Sequence, residues 1–222
     1  MKKRILVISP HPDDETLGLG GTISKHIFNG DDVFILTISG HLPPLYNRED
    51  YEKTVKEAKN AFEILGVQNS HFLEIPATMI GDEPISSLNM KISKVLSDYK
   101  PNIVFCPFPD RHIDHKLIFE SAMVATRPVN YGKDIELVAA YETLSETHWN
   151  APYIEPNFTP NLVVDIDNFI DNKLNALRCY KSQIDEESGP RSIRAVRALA
   201  EFRGTQSGFG FGEALYVIRM IA

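Results

Sequence analysis

Two segments of this 222-residue chain carry side chains whose types and spacing could hold a metal ion and move a proton. The first is Pro10-His11-Pro12-Asp13-Asp14-Glu15, which follows the apolar run Arg4-Ile5-Leu6-Val7-Ile8-Ser9. The second is Pro107-Phe108-Pro109-Asp110-Arg111-His112-Ile113-Asp114-His115, which follows Asn102-Ile103-Val104-Phe105-Cys106. A catalytic zinc ion takes three nitrogen or oxygen ligands from the protein and leaves a further position for water. His11, Asp14 and His115 fill those three places. Adjacent carboxylates point different ways from a tight loop, so Asp13 can face the water as general base and later acid. His112, three residues before His115, can face the substrate and stabilise developing negative charge. Asp114 either orients a histidine from behind or caps a helix. Taken singly, each segment also fits an ordinary loop with a helix cap. Together, at the carboxyl ends of two expected strands, they point to a metal site.

The elements that must position these residues alternate along the chain. Strands are expected at 4–9, 32–38, 71–75, 102–106, 136–141, 161–166 and 213–219. Helices are expected at 15–28, 50–65, 86–99, 114–126, 167–181 and 190–203. Val33-Phe34-Ile35-Leu36 is a continuous apolar run, as in a strand covered on both faces. Val55, Ala58, Ala61, Phe62 and Leu65 recur at helical spacing, and Gly66 suits the exit of that helix. Asp167 and Ser87 suit helix starts. Strand–helix alternation predicts an α/β, Rossmann-like fold: a mostly parallel sheet covered by helices on both faces. In such sheets sites gather beyond the carboxyl ends of the strands, where both His/Asp segments fall. No linker, repeat or low-complexity stretch interrupts residues 1–222, so one domain is expected.

Composition narrows the function. Apolar content of 43% and charged content of 24% are those of a globular protein. A net charge of −7 argues against a nucleic-acid partner and against a polybasic membrane anchor. No stretch approaches the ~20 apolar residues that cross a bilayer, and the basic opening Lys2-Lys3-Arg4 leads into strand one rather than a signal peptide. With two cysteines, Cys106 and Cys179, no disulfide framework is expected and the cytoplasm is the default compartment.

Four other features bear on the reading. Gly18-Leu19-Gly20-Gly21 lacks the full spacing of a nucleotide-binding loop and instead lets the first helix pack closely. His41 follows Thr37-Ile38-Ser39-Gly40 at the end of strand two and could contact substrate, or lie on the surface. The Gly204–Gly212 stretch, with Phe209 and Phe211, could form a mobile or intersubunit loop. The region 143–160, with Pro152, Pro156, Pro160, His148 and Trp149, either walls the pocket or serves as a stiff connector.

His11-Pro12-Asp13-Asp14-Glu15 together with His112-Ile113-Asp114-His115 resembles the LmbE-like, or PIG-L, superfamily of zinc-dependent N-deacetylases. Glu57-Ala58-Lys59-Asn60-Ala61 with Leu65-Gly66-Val67, Tyr180-Lys181-Ser182-Gln183, Ala200-Glu201-Phe202-Arg203-Gly204 and Gly212-Glu213-Ala214 are similar to further segments of it. The resemblance implies His11, Asp14 and His115 as ligands of Zn2+, with Fe2+ the alternative in the cell. It implies Asp13 as general acid/base, His112 as the histidine that polarises the carbonyl, and homo-oligomers. It also implies hydrolysis of an N-acetyl amino sugar or a glycoconjugate of it to acetate and a free amine. Many members carry an Arg where this chain has Thr54; Arg48, in the preceding loop, either substitutes for it in contacting substrate or is an exposed, solvated side chain. Two other readings remain at this stage. One is a metal-dependent hydrolase of another amide or ester, the other a non-catalytic sugar- or metal-binding module.

Overall fold

The computed structural model describes residues 2–82, 84–151 and 153–221. Seven strands form one sheet in the order β3-β2-β1-β4-β5-β7-β6. They are β1 (Arg4–Ser9), β2 (Asp32–Gly40), β3 (Asn69–Pro76), β4 (Ile103–Pro107), β5 (Leu137–Tyr141), β6 (Leu162–Asp165) and β7 (Gly212–Met220). Between them run α1 (Asp14–Phe28), α2 (Arg48–Leu65), α3 (Ile85–Tyr99), α4 (Ile113–Ala125), α5 (Ile170–Leu177) and α6 (Ile193–Thr205). The first five strands in chain order are parallel; β7 runs antiparallel to both β5 and β6. No helix among the described residues is long and apolar enough to cross a membrane.

The two-residue period of β1 accounts for the layering. Ile5 and Val7 join a core with Leu19 and Ile23 of α1, Phe62 of α2 and Leu174 of α5. Leu6 and Ile8 point the other way, into a core with Leu88, Ile92 and Leu96 of α3 and Ile118 of α4. Side chains of a strand alternate between faces, so an unbroken apolar run fits only where both faces are covered. The α/β expectation is met on this point, with helices on both faces and a mostly parallel sheet.

The strand order also explains where the two His/Asp segments meet. From β1 the chain crosses to β2 on one side, and from β3 it returns through α3 to β4 on the other. Consequently β1 and β4 are hydrogen-bonded neighbours whose outgoing loops diverge, with Ile5 opposite Ile103 and Val7 opposite Phe105. That divergence opens a crevice at the carboxyl edge, the usual ligand position in such sheets.

Several expected boundaries shift. The 167–181 helix is a 3-10 turn at Asp167–Phe169 followed by α5, which ends at Leu177. Tyr180 therefore lies beyond the helix and is free to turn inward. The last helix begins at Ile193, where the Ser192 hydroxyl accepts from the Ala195 amide at 3.1 Å, rather than at 190. Ser87 lies inside α3, whose N-cap is Pro84, and is not its start. Gly66 does close α2 in the left-handed region, at φ +83°. Pro152 of the 143–160 region lies outside the described residues.

The glycines of α1 are explained by neighbours. A Cβ on Gly18 would collide with the Tyr141 ring, one on Gly20 would meet Lys173, and one on Gly21 would meet Ile166. Close packing thus involves β5 and also α5, which lies alongside α1. Gly204 is likewise enclosed, by the Gly210 and Phe211 backbone, and the Gly210 and Phe211 amides donate to the Asp167 carboxylate at 3.2 and 2.5 Å. Beneath α1, buried Lys173 donates to Glu213 at 2.5 Å and to the Leu17 carbonyl at 2.7 Å. Glu213 also accepts from the Gly21 and Thr22 amides at 2.9 and 2.7 Å. This carboxylate ties β7 to α1. Glu213→Ala leaves a buried ammonium without its counter-charge and should destabilise the fold by about 3–5 kcal/mol. Urea unfolding of the variant beside wild type measures this, and a change under 1 kcal/mol would mean that Lys173 finds water.

Candidate active site and metal centre

The loop between β1 and α1 turns on one residue. Asp13 has φ +127° and ψ −31°, a left-handed backbone that residues with a side chain rarely adopt. Its carbonyl accepts from the Thr16 and Leu17 amides at 3.0 and 2.8 Å, which starts α1. Its amide donates to Glu15 Oε2 at 3.3 Å. This twist separates two consecutive carboxylates: Asp14 turns inward toward the histidines, while Asp13 lines the open cleft.

The inner cluster is a set of imidazoles and carboxylates in contact. Asp14 Oδ2 lies 3.2 Å from His11 Nδ1 and 3.4 Å from His115 Nε2. Ligand atoms of His11, Asp14 and His115 all fall within 4.8 Å of one another. Each histidine is held from behind by another carboxylate. Asp110, fully buried, takes His115 Nδ1 at 3.0 Å and is itself fixed by the Thr147 hydroxyl at 2.9 Å and the His112 amide at 3.0 Å. Asp114, also buried, takes His11 Nε2 at 2.9 Å and the Thr78 amide at 2.8 Å. Of the two readings of Asp114, the geometry is that of an orienting partner. The capping of α4 falls instead to His112, whose Nδ1 accepts from the Asp114 amide at 3.1 Å.

The donor set fits a metal ion. His115 Nε2 is buried and makes no hydrogen bond, while Asp110 occupies the other ring nitrogen. An imidazole fixed through one nitrogen with its other nitrogen unpartnered beside a carboxylate is the usual form of a metal-ligating histidine. A second possible set, His11, His112 and Asp114, shares His11. Its atoms are more occupied: His112 Nδ1 and Asp114 Oδ2 already take backbone amides. The first set, two histidines and one carboxylate, suits zinc or iron(II) by ligand type.

Electrostatics follow from this crowding. Burial would push the Asp14 carboxyl up, but His115 and His11 hold it well below the usual carboxylate range. Burial and the adjacent Asp14 push Asp13 well above that range, and Arg191 pulls it partly back. Burial and the neighbouring His11 and His115 lower His112. With Nδ1 accepting a backbone amide, neutral His112 carries its proton on Nε2. His112 can therefore donate to a developing oxyanion as a neutral ring.

The cleft in front of the cluster encloses about 120 Å³. His11, Asp13 and His112 form its floor, and His41, Tyr46, Thr54, Thr78, Glu146, Gln183 and Arg191 contribute to its walls. His41 thus takes its place at the pocket, with its ring 4.3 Å from that of Tyr46. Burial, then His11, lowers its pKa. The 143–160 region walls the pocket through Glu146. Arg48 does not reach it: its guanidinium pairs with Glu74 at 3.0 Å and Glu52 at 3.4 Å at the exposed start of α2. Proximity in sequence to position 54 misled, because β3 supplies Glu74 directly across. The arginine at the pocket is Arg191, from the segment before α6. Its Nη1 lies 3.5 Å from Asp13 Oδ2 and its Nη2 3.2 Å from Glu146 Oε1. Nothing local in the sequence marks Arg191 or Glu146. Asp110 carried a signal: a carboxylate five positions before His115, on the same loop.

Comparison with known proteins agrees with this geometry. Residues 6–126 match the family model described as PIG-L: GlcNAc-PI de-N-acetylase. The diacetylchitobiose deacetylase of Thermococcus kodakarensis is 30% identical over 96% of this chain and 82% of its own. The structure of N,N′-diacetylchitobiose deacetylase from Pyrococcus horikoshii, complexed with its inhibitor MPG, superposes with a TM-score of 0.78 at 26% identity, covering 97% of this chain and 84% of that one. GalB, the 4-carboxy-2-hydroxymuconate hydratase of Pseudomonas putida KT2440, superposes with a TM-score of 0.77 at 20% identity over all of this chain and 98% of its own. A hydratase on the same scaffold shows that the fold alone does not choose the reaction.

The cluster predicts how metal uptake depends on pH. Burial lowers both histidines, but hydrogen bonds from Asp114 and Asp14 raise His11 to about 9, and Asp14 with Asp110 raises His115 to about 10. Both values lie above the ~6.5 of an unfolded histidine, so each ring holds a proton at pH 7 that a metal ion must displace. Zinc titration of the metal-free protein at pH 7, in buffers of different ionisation enthalpy, should release about two protons per ion. Affinity should rise with pH up to these values. Binding without proton release would mean that both rings are already neutral at pH 7.

Proposed function

Because this chain belongs to the PIG-L family of de-N-acetylases, we propose that it is a metal-dependent hydrolase that removes the acetyl group from an N-acetyl amino sugar or a conjugate of one. The observation that carries the reading is the division of labour between Asp13 and Asp14. One carboxylate is committed to the histidine cluster and its neighbour is turned by φ +127° into the cleft. In this reading residues 1–222 form one catalytic domain. His11, Asp14 and His115 hold the ion, for which we propose Zn2+ or Fe2+. When bound, such an ion polarises a carbonyl oxygen and brings the pKa of a water to about 7.

The protein's own groups do the rest. Asp13, with its pKa raised by burial and by Asp14, is more basic than an ordinary carboxylate and so better suited to accept a proton and to give it back. It takes the proton of the water that attacks the acetyl carbon. His112 donates its Nε2 proton as a hydrogen bond to the oxygen that gains charge as the tetrahedral centre forms. Its Nδ1 contact with the Asp114 amide fixes the ring and the tautomer. Asp13 then returns its proton to the amide nitrogen as the carbon–nitrogen bond breaks, giving acetate and a free amine. Asp110 and Asp114 touch no reacting atom; they hold His115 and His11 in place. A cleft of about 120 Å³ is well below the ~300 Å³ of pockets that enclose drug-sized ligands. In this reading it takes the acetamido group, and the rest of the substrate lies toward the opening.

The test is acetate release from N-acetylglucosamine and N,N′-diacetylchitobiose by the zinc-loaded protein. Asp13→Asn should keep one ion per chain and lose about 10²–10⁴-fold in kcat. His112→Ala should also keep the ion and lose about 10²–10³-fold in kcat. If Asp13→Asn turned over at near the wild-type rate, the base would be another group. If neither sugar released acetate, the amino-sugar reading would fail.

A further inference from the structure

The lining of the cleft carries an arrangement that hydrolysis of an amide does not require. Among the described residues lining the cleft, Arg191 has the one guanidinium, and there is no ammonium group. An arginine facing a sugar pocket would ordinarily recognise a phosphate or carboxylate on the substrate through its fork of donors. Here the fork is already occupied by Asp13 on one side and Glu146 on the other. Glu146 is buried and is gripped twice: its Oε1 faces Arg191 at 3.2 Å, and its Oε2 accepts from Arg111 at 2.9 Å. Arg111 in turn rests its guanidinium 5.9 Å from the ring centre of Trp149. Thus Glu146 holds both arginines nearest the reacting groups. On the remaining wall Thr54 is uncharged, its hydroxyl donating to the Asp50 carbonyl at 2.8 Å, and Arg48 is engaged by Glu74 outside the cleft.

From this arrangement we infer that Glu146 is a specificity-determining residue: by holding Arg191 and Arg111 it makes the cleft accept an uncharged amino sugar and reject one bearing a phosphate. An incoming phosphate would meet the Glu146 and Asp13 carboxylates and could gain Arg191 only by displacing one of them. Like charges brought together in this way disfavour the wrong partner. A neutral sugar meets no such barrier. It can lay its apolar face on the Tyr46–His41 ring pair and use Gln183 for a hydroxyl. The inference rests on the amino-sugar reading above, and its test separates the two.

Binding of N-acetylglucosamine and of N-acetylglucosamine 6-phosphate to the zinc-loaded protein is measured by calorimetry, with acetate release followed in parallel. Wild type should prefer the neutral sugar by at least about tenfold in Kd and in kcat/KM. Glu146→Gln preserves shape and frees Arg191, so the phosphorylated sugar should gain about tenfold or more relative to the neutral one. Adding Arg191→Gln to that variant should abolish the gain. Equal binding of both sugars by wild type overturns the inference even if Glu146→Gln fails to fold, which circular dichroism reports. An unchanged ratio in a folded Glu146→Gln protein also overturns it, as does a gain that survives removal of Arg191. Selective binding without acetate release sinks the deacetylase reading and leaves the selectivity standing. Absence of any binding overturns both.

Discussion

The site depends on one buried carboxylate that touches neither metal ligand atoms nor cleft. Glu15 is wholly enclosed, and burial raises its pKa against the effect of its donors. Its Oε2 receives the Ser9 hydroxyl at 2.9 Å and the Asp13 amide at 3.3 Å; its Oε1 receives the Thr16 hydroxyl at 2.8 Å and the Tyr180 hydroxyl at 2.5 Å. A charge taken out of water costs several kcal/mol unless such partners surround it. Here the partners are the end of β1, the strained loop, the first turn of α1 and the chain beyond α5. Satisfying Glu15 therefore fixes the loop that aims Asp13 and Asp14 apart. It also explains why α5 stops at Leu177: a longer helix would carry the Tyr180 hydroxyl elsewhere.

Around that anchor the charges alternate. Asp110, His115, Asp14, His11 and Asp114 form a continuous line of acid and imidazole, each ring between two carboxylates. Such a line is rigid because every member is fixed through two contacts, and it is closed to solvent on the side facing the core. Only the cleft side offers free space. A second line, Arg111, Glu146, Arg191 and Asp13, approaches the same place from the 143–160 region and the start of α6. Asp13 is where the two lines meet, through its neighbour Asp14 on one side and Arg191 on the other.

Much of this was legible in the residues because it is local. Strand runs such as Ile5–Ile8 and Val33–Leu36 show two-sided burial directly. The alternation of elements places the His-Asp-Asp loop and the His112–His115 segment at strand exits. The rest depends on contacts between distant parts of the chain. Nothing in the Gly212–Met220 run states that it pairs antiparallel with β5 and β6, because side-chain period is the same in either direction. Arg48 stands out by nearness in sequence to Thr54, yet Glu74 of β3 holds it, and the fold delivers Arg191, which no local pattern marks, to the cleft instead. Glu146 sat unmarked in a region notable for its prolines, and its partners come from two other segments. The juxtaposition of His11, Asp14 and His115 could be expected from residue type and position at the strand exits. The roles of Asp110 and Asp114 required knowing which ring nitrogen each carboxylate takes.

The contact between Glu15 and Tyr180 spans 165 positions of the chain. During synthesis the loop bearing Asp13 leaves the ribosome ahead of His115, and His115 long before Tyr180. His11, Asp14 and His115 are thus all present while one of the four donors to Glu15 does not yet exist. Contacts of such separation are the slow ones to form. Until then the Pro10–Asp14 loop lacks the brace that holds its left-handed turn. An ion captured by the nascent chain would bind a loose loop, and the geometry described here is reached only once the C-terminal quarter has docked.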